Sequence, residues 1–251
     1  MLRVSIVTAV LNGGSSVEYA INSVLGQTYP EIEYIIVDGG STDGTLEIIR
    51  KYEHRISRWI CEADEGFYDA LNKGLKMATG EVIGILNSDD IFANERVLET
   101  VVRTFAETGV DSCYGDLQYV SKADTSKIIR HWCSGAFTPG LLRQGWMPPH
   151  STFFAKKDVY DKYGYFNLGY KISADYELMM RVLGKYEIST AYIPEVLVKM
   201  RVGGVSNRSL SNILRKSSED YRIIRRHNLG GLTTLIMKNL SKLPQFIIKK
   251  G

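Results

Sequence analysis

The chain has no G-x-G-x-x-G after its first apolar segment and no G-x-x-x-x-G-K-[ST] anywhere. The first absence removes a dinucleotide fingerprint and the second a phosphate-cradling loop. Cysteine is scarce, at Cys61, Cys113 and Cys133. An odd number without metal-ligand spacing reads as reduced thiols of a cytosolic protein, not as a disulfide framework. No apolar run reaches the ~18 residues of a membrane-spanning helix. The opening MLRVSIVTAVL is short, β-branched and runs into Asn12-Gly13-Gly14 without a cleavage-like pattern. It is expected to be a first strand and not a signal peptide. Internal repeats and low-complexity segments are also missing.

What is present is a folded composition, with 251 residues and 44% hydrophobic, enough for a sizeable core. The net charge of +3 hides an asymmetry: residues 201–251 carry 11 Lys/Arg against 2 Asp/Glu, so +9, and the remainder is −6. An acidic body with a basic tail points to a negatively charged surface as partner.

Along the chain, residues 3–11 read as a strand, and Ser15-x-x-Glu18 as a capping box opening a helix with Val17, Ala20, Ile21, Val24 and Leu25 at helical spacing. Strands at 34–37, 58–62 and 82–86 alternate with helices at about 44–52 and 66–79, the rhythm of a parallel sheet. The second half is less regular. It is expected to hold a helix at 94–108, antiparallel strands at 112–120 and 127–133, a helix from about 173 to 185 and a strand pair at 188–202. Thr8, Asn12, Asp38, Glu62, Asp64, Asp89 and Asp90 fall at the strand ends, which converge on one crevice in such sheets.

The sharpest of these ends is Ile85-Leu86-Asn87-Ser88-Asp89-Asp90. Two adjacent carboxylates repel unless a cation lies beside them, and a divalent ion carrying a diphosphate is one solution. A helix N-cap followed by a solvated turn is the other reading.

Together SIVTAVLN, IIVDGGSTDGT, EADEGFYDALNKGLKMATGEVIGILNSDD, HSTFF and ISADYELMMR resemble glycosyltransferase family 2, from Val4 to about Asn207, and most closely its bacterial surface-polysaccharide subgroup. The resemblance implies a GT-A (Rossmann-like) α/β fold. Its parts would be a mostly parallel sheet flanked by helices, a small antiparallel second sheet and a helical C-terminal extension. It implies an inverting, metal-dependent transfer of a sugar from a nucleotide sugar, UDP-linked by expectation, to a hydroxyl of a glycan or polyprenyl-linked acceptor.

By that resemblance Thr8 and Ala9 line the base pocket and Asp38 accepts a hydrogen bond from the base. Asp64, Tyr68 and Lys73 cross the nucleotide. Asp89 contacts the ribose or the metal, Asp90 ligates Mg²⁺ or Mn²⁺, and Asp175 is the general base. Trp146 and His150 stand in an acceptor or donor-sugar loop. Each also has an ordinary reading: Asp38 a turn aspartate, Lys73 a solvated lysine, Asp175 a helix N-terminal acid and Trp146 a buried ring. The family pattern is departed from at Gly39, Leu71, Asn87 and Ala174. These departures keep open a nucleotide-sugar-binding or scaffold protein with degenerate catalysis.

The resemblance divides the chain into residues 1–207 and a basic extension, 208–251. There Leu232, Leu235, Ile236, Leu240, Leu243 and Ile247 recur at helical spacing among Lys238, Lys242, Lys249 and Lys250, and Pro244 interrupts. An amphipathic helix on an anionic membrane surface and a helix packed on the domain or on a second copy both fit. Nucleic acid is not expected, since Tyr221 and Phe246 are the tail's only aromatics. The expected location is cytoplasmic, peripheral at the inner face of the cell membrane.

Overall fold

The computed structural model describes residues 1–202 and 210–241. Val4–Val10 (β1) is buried at every position, as befits a strand covered on both faces. Its alternate side chains enter two apolar layers. Val7 and Ala9 meet Ile35, Val37, Leu71 and Leu75; Val4, Ile6 and Val10 meet Ile21, Val24, Tyr34 and Ile36.

Val17–Leu25 (α1), Ile32–Asp38 (β2), Thr45–Lys51 (α2), Arg58–Cys61 (β3), Phe67–Met77 (α3) and Val82–Ile85 (β4) follow. The four strands run parallel in the order β3-β2-β1-β4. Gly74 lets α3 lie close on the sheet, because a Cβ there would fall 2.4 Å from Val7 Cγ1. The expected capping box does not form: Ser16 is the N-cap, without a side-chain bond. Glu18 turns instead to Lys51 Nζ at 2.7 Å and the Tyr52 hydroxyl at 2.8 Å.

The rest comprises Asp90–Phe92 (β5), Val97–Thr108 (α4), Ser112–Val120 (β6), Ile128–Trp132 (β7), Gly140–Arg143 (α5), Phe154–Lys156 (β8), Lys157–Tyr163 (α6), Ala174–Met179 (α7), Thr190–Arg201 (β9), Leu210–Arg226 (α8) and Leu232–Leu240 (α9). The expected antiparallel strands are present but do not form a second sheet: β8 pairs antiparallel with both β4 and β6 and joins them to the parallel part. Among the described residues one sheet runs β3-β2-β1-β4-β8-β6-β9-β5, with β7 on β6. The strand pair expected at 188–202 is the single strand β9. It lies parallel to β6 and takes β5 on its other edge, Asp90 opposite Met200. The helix expected over 173–185 is α7 followed by a π-helical stretch, Met180–Lys185.

The core takes in side chains of α8 and of the turn after it. Ile223, Ile224 and Leu229 are buried in the same apolar layer as Val7 and Leu178. On α9 the apolar positions divide: Leu235 packs on the core while Leu232, Ile236 and Leu240 are exposed, and Lys238 is buried. The buried carboxylate of Asp220 on α8 draws the ammonium in, at 2.6 Å. Lys242, Leu243, Pro244, Ile247, Lys249 and Lys250 lie outside the described residues.

Candidate active site

The loops after β1 and β2 are tied together. Asn12, in a left-handed conformation (φ 53°), donates its N–H to Ser41 Oγ at 2.7 Å. Gly13 donates to Thr45 Oγ1 at 2.9 Å and Gly14 to Asp43 Oδ2 at 3.0 Å. At the end of β2, Asp38 Oδ1 accepts the N–H groups of Gly40 and Ser41 and faces the Cys61 thiol at 3.1 Å. Its Oδ2 is buried without a partner. One oxygen thus makes the turn that any loop aspartate makes, and the other is left as an acceptor.

Thr8 is not at the crevice. Its hydroxyl donates to the Leu86 carbonyl at 2.8 Å and accepts from Tyr34 at 3.2 Å, inside the layer under α1. Ala9 is packed in the opposite layer. β1 simply runs further than the base-pocket expectation required, and Leu11, 63% exposed, is the residue that emerges at its end.

Asp64 is nearly buried and paired with Lys73 Nζ at 2.6 Å. Glu62 at 2.8 Å and Asp69 at 3.5 Å share that ammonium. These carboxylates hold Lys73 charged, above its ordinary range, chiefly through Asp64 and then Glu62. Lys73 therefore holds the Asp64 loop, its charge already met by carboxylates, and is not the freely solvated lysine of the ordinary reading. A Cβ at Gly39 would fall 2.9 Å from Asp64 Oδ2, so a second acid there would have to displace the Asp64 carboxylate.

The Asn87–Asp90 turn separates its two acids. Asp89 is half-buried, whereas Asp90 is sealed at the start of β5. Asn87 Nδ2 donates to Asp90 Oδ2 at 2.8 Å. Burial first, and the neighbouring Asp89 charge second, raise the Asp90 carboxyl well above the usual carboxylate range. Asn87 Oδ1 and Asp90 Oδ1 are both buried without hydrogen-bond partners. Such orphaned oxygens are rare in native interiors and call for an explanation. All these donors are hard oxygens, the set that Mg²⁺ or Mn²⁺ prefers, so the residues fit the expected cation. Asp89 is the more exposed of the two acids and Asp90 lies behind it.

Asp175 lies in the first turn of α7, about one-fifth exposed, with His150 Nδ1 at 3.3 Å from its Oδ2. The Tyr68 hydroxyl donates to the Ile172 carbonyl at 2.7 Å and lies 3.2 Å from Asp175 Oδ1. Burial, then the Asp175 charge, push the Tyr68 phenol well up, so it stays a neutral donor. Glu177 turns inward as its spacing requires, against Arg181 at 2.9 Å and His227 at 3.4 Å. The Tyr119 phenol is raised above its usual range, chiefly by burial. Trp146 is a wall residue: its indole N–H donates to the Ser134 carbonyl at 3.0 Å, and Phe137 stacks on it at 5.3 Å.

Two contributors were not foreseen. Leu11 was signalled only as the last apolar residue before Asn-Gly-Gly. Glu219 on α8 is buried and accepts the N–H groups of Lys171, Ile172 and Ser173 at 3.0, 2.9 and 2.9 Å. Those residues lead into α7 and supply the carbonyl that holds Tyr68. The signal for Glu219 was its being, with Asp220, one of two acids in a basic tail.

The family model described as Glycosyl transferase family 2 matches residues 5–165. A PGL/p-HBAD biosynthesis glycosyltransferase of Mycobacterium tuberculosis is 28% identical over 208 residues, 81% of this chain and 78% of that protein. An uncharacterized glycosyltransferase of the same organism is 28% identical over 232 residues, 91% and 86% of the two chains. Among solved structures, S. aureus TarS 1-349 in complex with UDP-GlcNAc aligns with a TM-score of 0.72 at 19% identity, covering 98% of this chain and 72% of that one. The chain spans 43% of a longer TarS structure. The mannosyltransferase PcManGT from Pyrobaculum calidifontis, in complex with GDP-Man and Mn²⁺, aligns with a TM-score of 0.68 at 17% identity, covering 98% and 73%.

Proposed function

Because the chain belongs to glycosyl transferase family 2 and is a glycosyltransferase, we propose that it moves a sugar, with inversion, from a UDP-linked donor to a hydroxyl of a glycan or lipid-linked acceptor in surface-polysaccharide synthesis. The observation that carries this reading is the Asp175 carboxylate, partly exposed at the head of α7 and set between Tyr68 and His150. Asp175 takes the proton of the acceptor hydroxyl while that oxygen attacks the anomeric carbon. The carbon's bond to the diphosphate breaks on the opposite face. Tyr68 and His150 fix the carboxylate's direction. Asp38 Oδ2 receives the base N–H, and Leu11 packs on the base.

Asp89 and Asp90, with Asn87, are the residues that would hold Mg²⁺ or Mn²⁺. When bound, that ion supplies charge stabilisation to the leaving nucleoside diphosphate. The donor class is supported by the neighbours solved with UDP-GlcNAc and with GDP-Man and Mn²⁺. The departures at Leu71 and Ala174 argue little for lost catalysis, since both are buried core positions.

The protein would work at the cytoplasmic face of the membrane, where a polyprenyl-linked acceptor lies. No helix among the described residues is long and apolar enough to cross one. Leu232, Ile236, Met237 and Leu240 are exposed along α9, with Arg215, Arg225 and Arg226 exposed on α8, which fits an anionic surface.

A thermal-shift screen of UDP-, GDP-, dTDP- and CMP-linked sugars, with and without Mn²⁺, tests the donor site. A metal-dependent rise with one nucleotide class is expected. With that donor, Asp175→Asn should lower kcat by ~10²–10⁴-fold at unchanged donor KM. Unchanged turnover removes Asp175 from the mechanism.

A further inference from the structure

On the hairpin of β6 and β7, away from the Asn87–Asp90 turn in sequence, the ligand atoms of Asp116, His131 and Cys133 all lie within 4.8 Å of one another. We propose that these three side chains form a second cation site, for Zn²⁺ or a similar borderline transition ion.

The strand pairing builds the cluster. His131 stands opposite Gln118 and Trp132 opposite Leu117, so the next pair outward sets Cys133 against Asp116. His131 and Cys133, two residues apart, project to one face. The register against β9 shifts at Asp116, and such irregularities re-aim side chains.

Three observations make this a site and not a chance meeting. His131 is nine-tenths buried, yet both its ring nitrogens lack a hydrogen-bond partner. A buried imidazole in that state is costly unless something absent from the chain completes it. Its Nε2 lies 3.7 Å from Asp116 Oδ2, too far for a hydrogen bond and compatible with an ion between them. The other Asp116 oxygen is held in place by the Ser134 N–H at 2.8 Å and the Tyr192 hydroxyl at 2.8 Å. That is how outer partners orient a ligating carboxylate.

Nitrogen, thiolate and carboxylate together select zinc-like ions over Mg²⁺. Three protein ligands leave the fourth position for water, and Cys133 is exposed, which gives the ion a path in. Binding displaces the Cys133 thiol proton to solvent. The ion would clip β7 to β6 just before Ser134, whose carbonyl holds Trp146.

The test is a Co²⁺ titration of the full chain, tag removed and metal stripped by chelator, followed by absorption. One equivalent should give visible ligand-field bands and a thiolate-to-metal charge-transfer band, displaced by Zn²⁺. The charge-transfer band should be lost in Cys133→Ser, at an exposed position, and in His131→Gln. It should persist in Cys61→Ser and in Asp89→Asn, which keeps the site independent of the proposed transfer chemistry. No saturable band, a charge-transfer band that survives Cys133→Ser, or one that disappears with Asp89→Asn overturns the proposal.

Discussion

Thr8 and Asp38 sit on neighbouring strands of one sheet and are both fully buried, yet only Asp38 keeps an acceptor oxygen without a partner. The Thr8 hydroxyl is engaged by the Leu86 carbonyl and by Tyr34. Thr8→Val should therefore cost about 1–3 kcal/mol of stability, from the buried groups left unpaired, while donor KM stays put. Urea unfolding and donor kinetics measured on the same variant check this, and a raised KM without destabilisation would return Thr8 to the base pocket.

Lys238 offers a pH signature. Burial lowers its ammonium to about 8 although Asp220 lies 2.6 Å away. Between that value and the ordinary ~10.4 of an unfolded lysine, the unfolded chain holds the extra proton. This group's contribution to stability therefore rises with pH across the window, by at most about 1.4 kcal/mol per unit, and is flat below it. Lys238→Met should flatten that rise in denaturant midpoints compared with wild type, and should itself destabilise because it strands the buried Asp220.

At the scale of elements, the segment entering α7 is the clearest case of one element setting another. Residues 171–173 have their amides fixed by Glu219 from α8, and Tyr68 from α3 grips the Ile172 carbonyl. Asp175 follows directly, so its direction is set by two helices remote in sequence. Glu219→Ala leaves three amides without their acceptor. Misplacement of this kind can cost ~10²-fold in rate, so kcat should fall while donor KM is retained, because Asp38 and Asp89 sit on other elements. Glu219→Gln keeps a carbonyl acceptor and should recover part of the loss. A parallel fall in kcat and donor binding would point instead to general unfolding.

At the scale of the whole molecule, α8 and α9 close the layer that covers one face of the sheet. Ile223 and Ile224 are wholly buried there, and the Lys238 ammonium lies 3.3 Å from the centre of the Tyr176 ring, on α7. A chain ending at residue 207 should lose cooperative unfolding and bind a hydrophobic dye, measured by calorimetry and fluorescence. A folded, cooperative 1–207 fragment would restore the two-part division. The same helices leave Leu232, Ile236 and Leu240 exposed on α9 and Arg215, Arg225 and Arg226 exposed on α8.

The sequence by itself determined the first half of the fold and the crevice. Buried parallel strands such as Tyr34–Val37 are continuous apolar runs, and acids at their ends stand out against them. Asp38, Asp89 and Asp90 stood out for that reason, and Asp175 only through the resemblance. What only the tertiary structure decided depends on partners far apart in the chain. Lys73 is claimed by Asp64 and Glu62, and Lys238 is drawn inward by Asp220. Glu219 reaches back 46 to 48 residues to the segment before Asp175. Periodicity reports which face of an element is apolar. It carries no information about which charge will meet which once the elements pack, because that pairing is set by packing geometry and by the cost of leaving a buried charge alone.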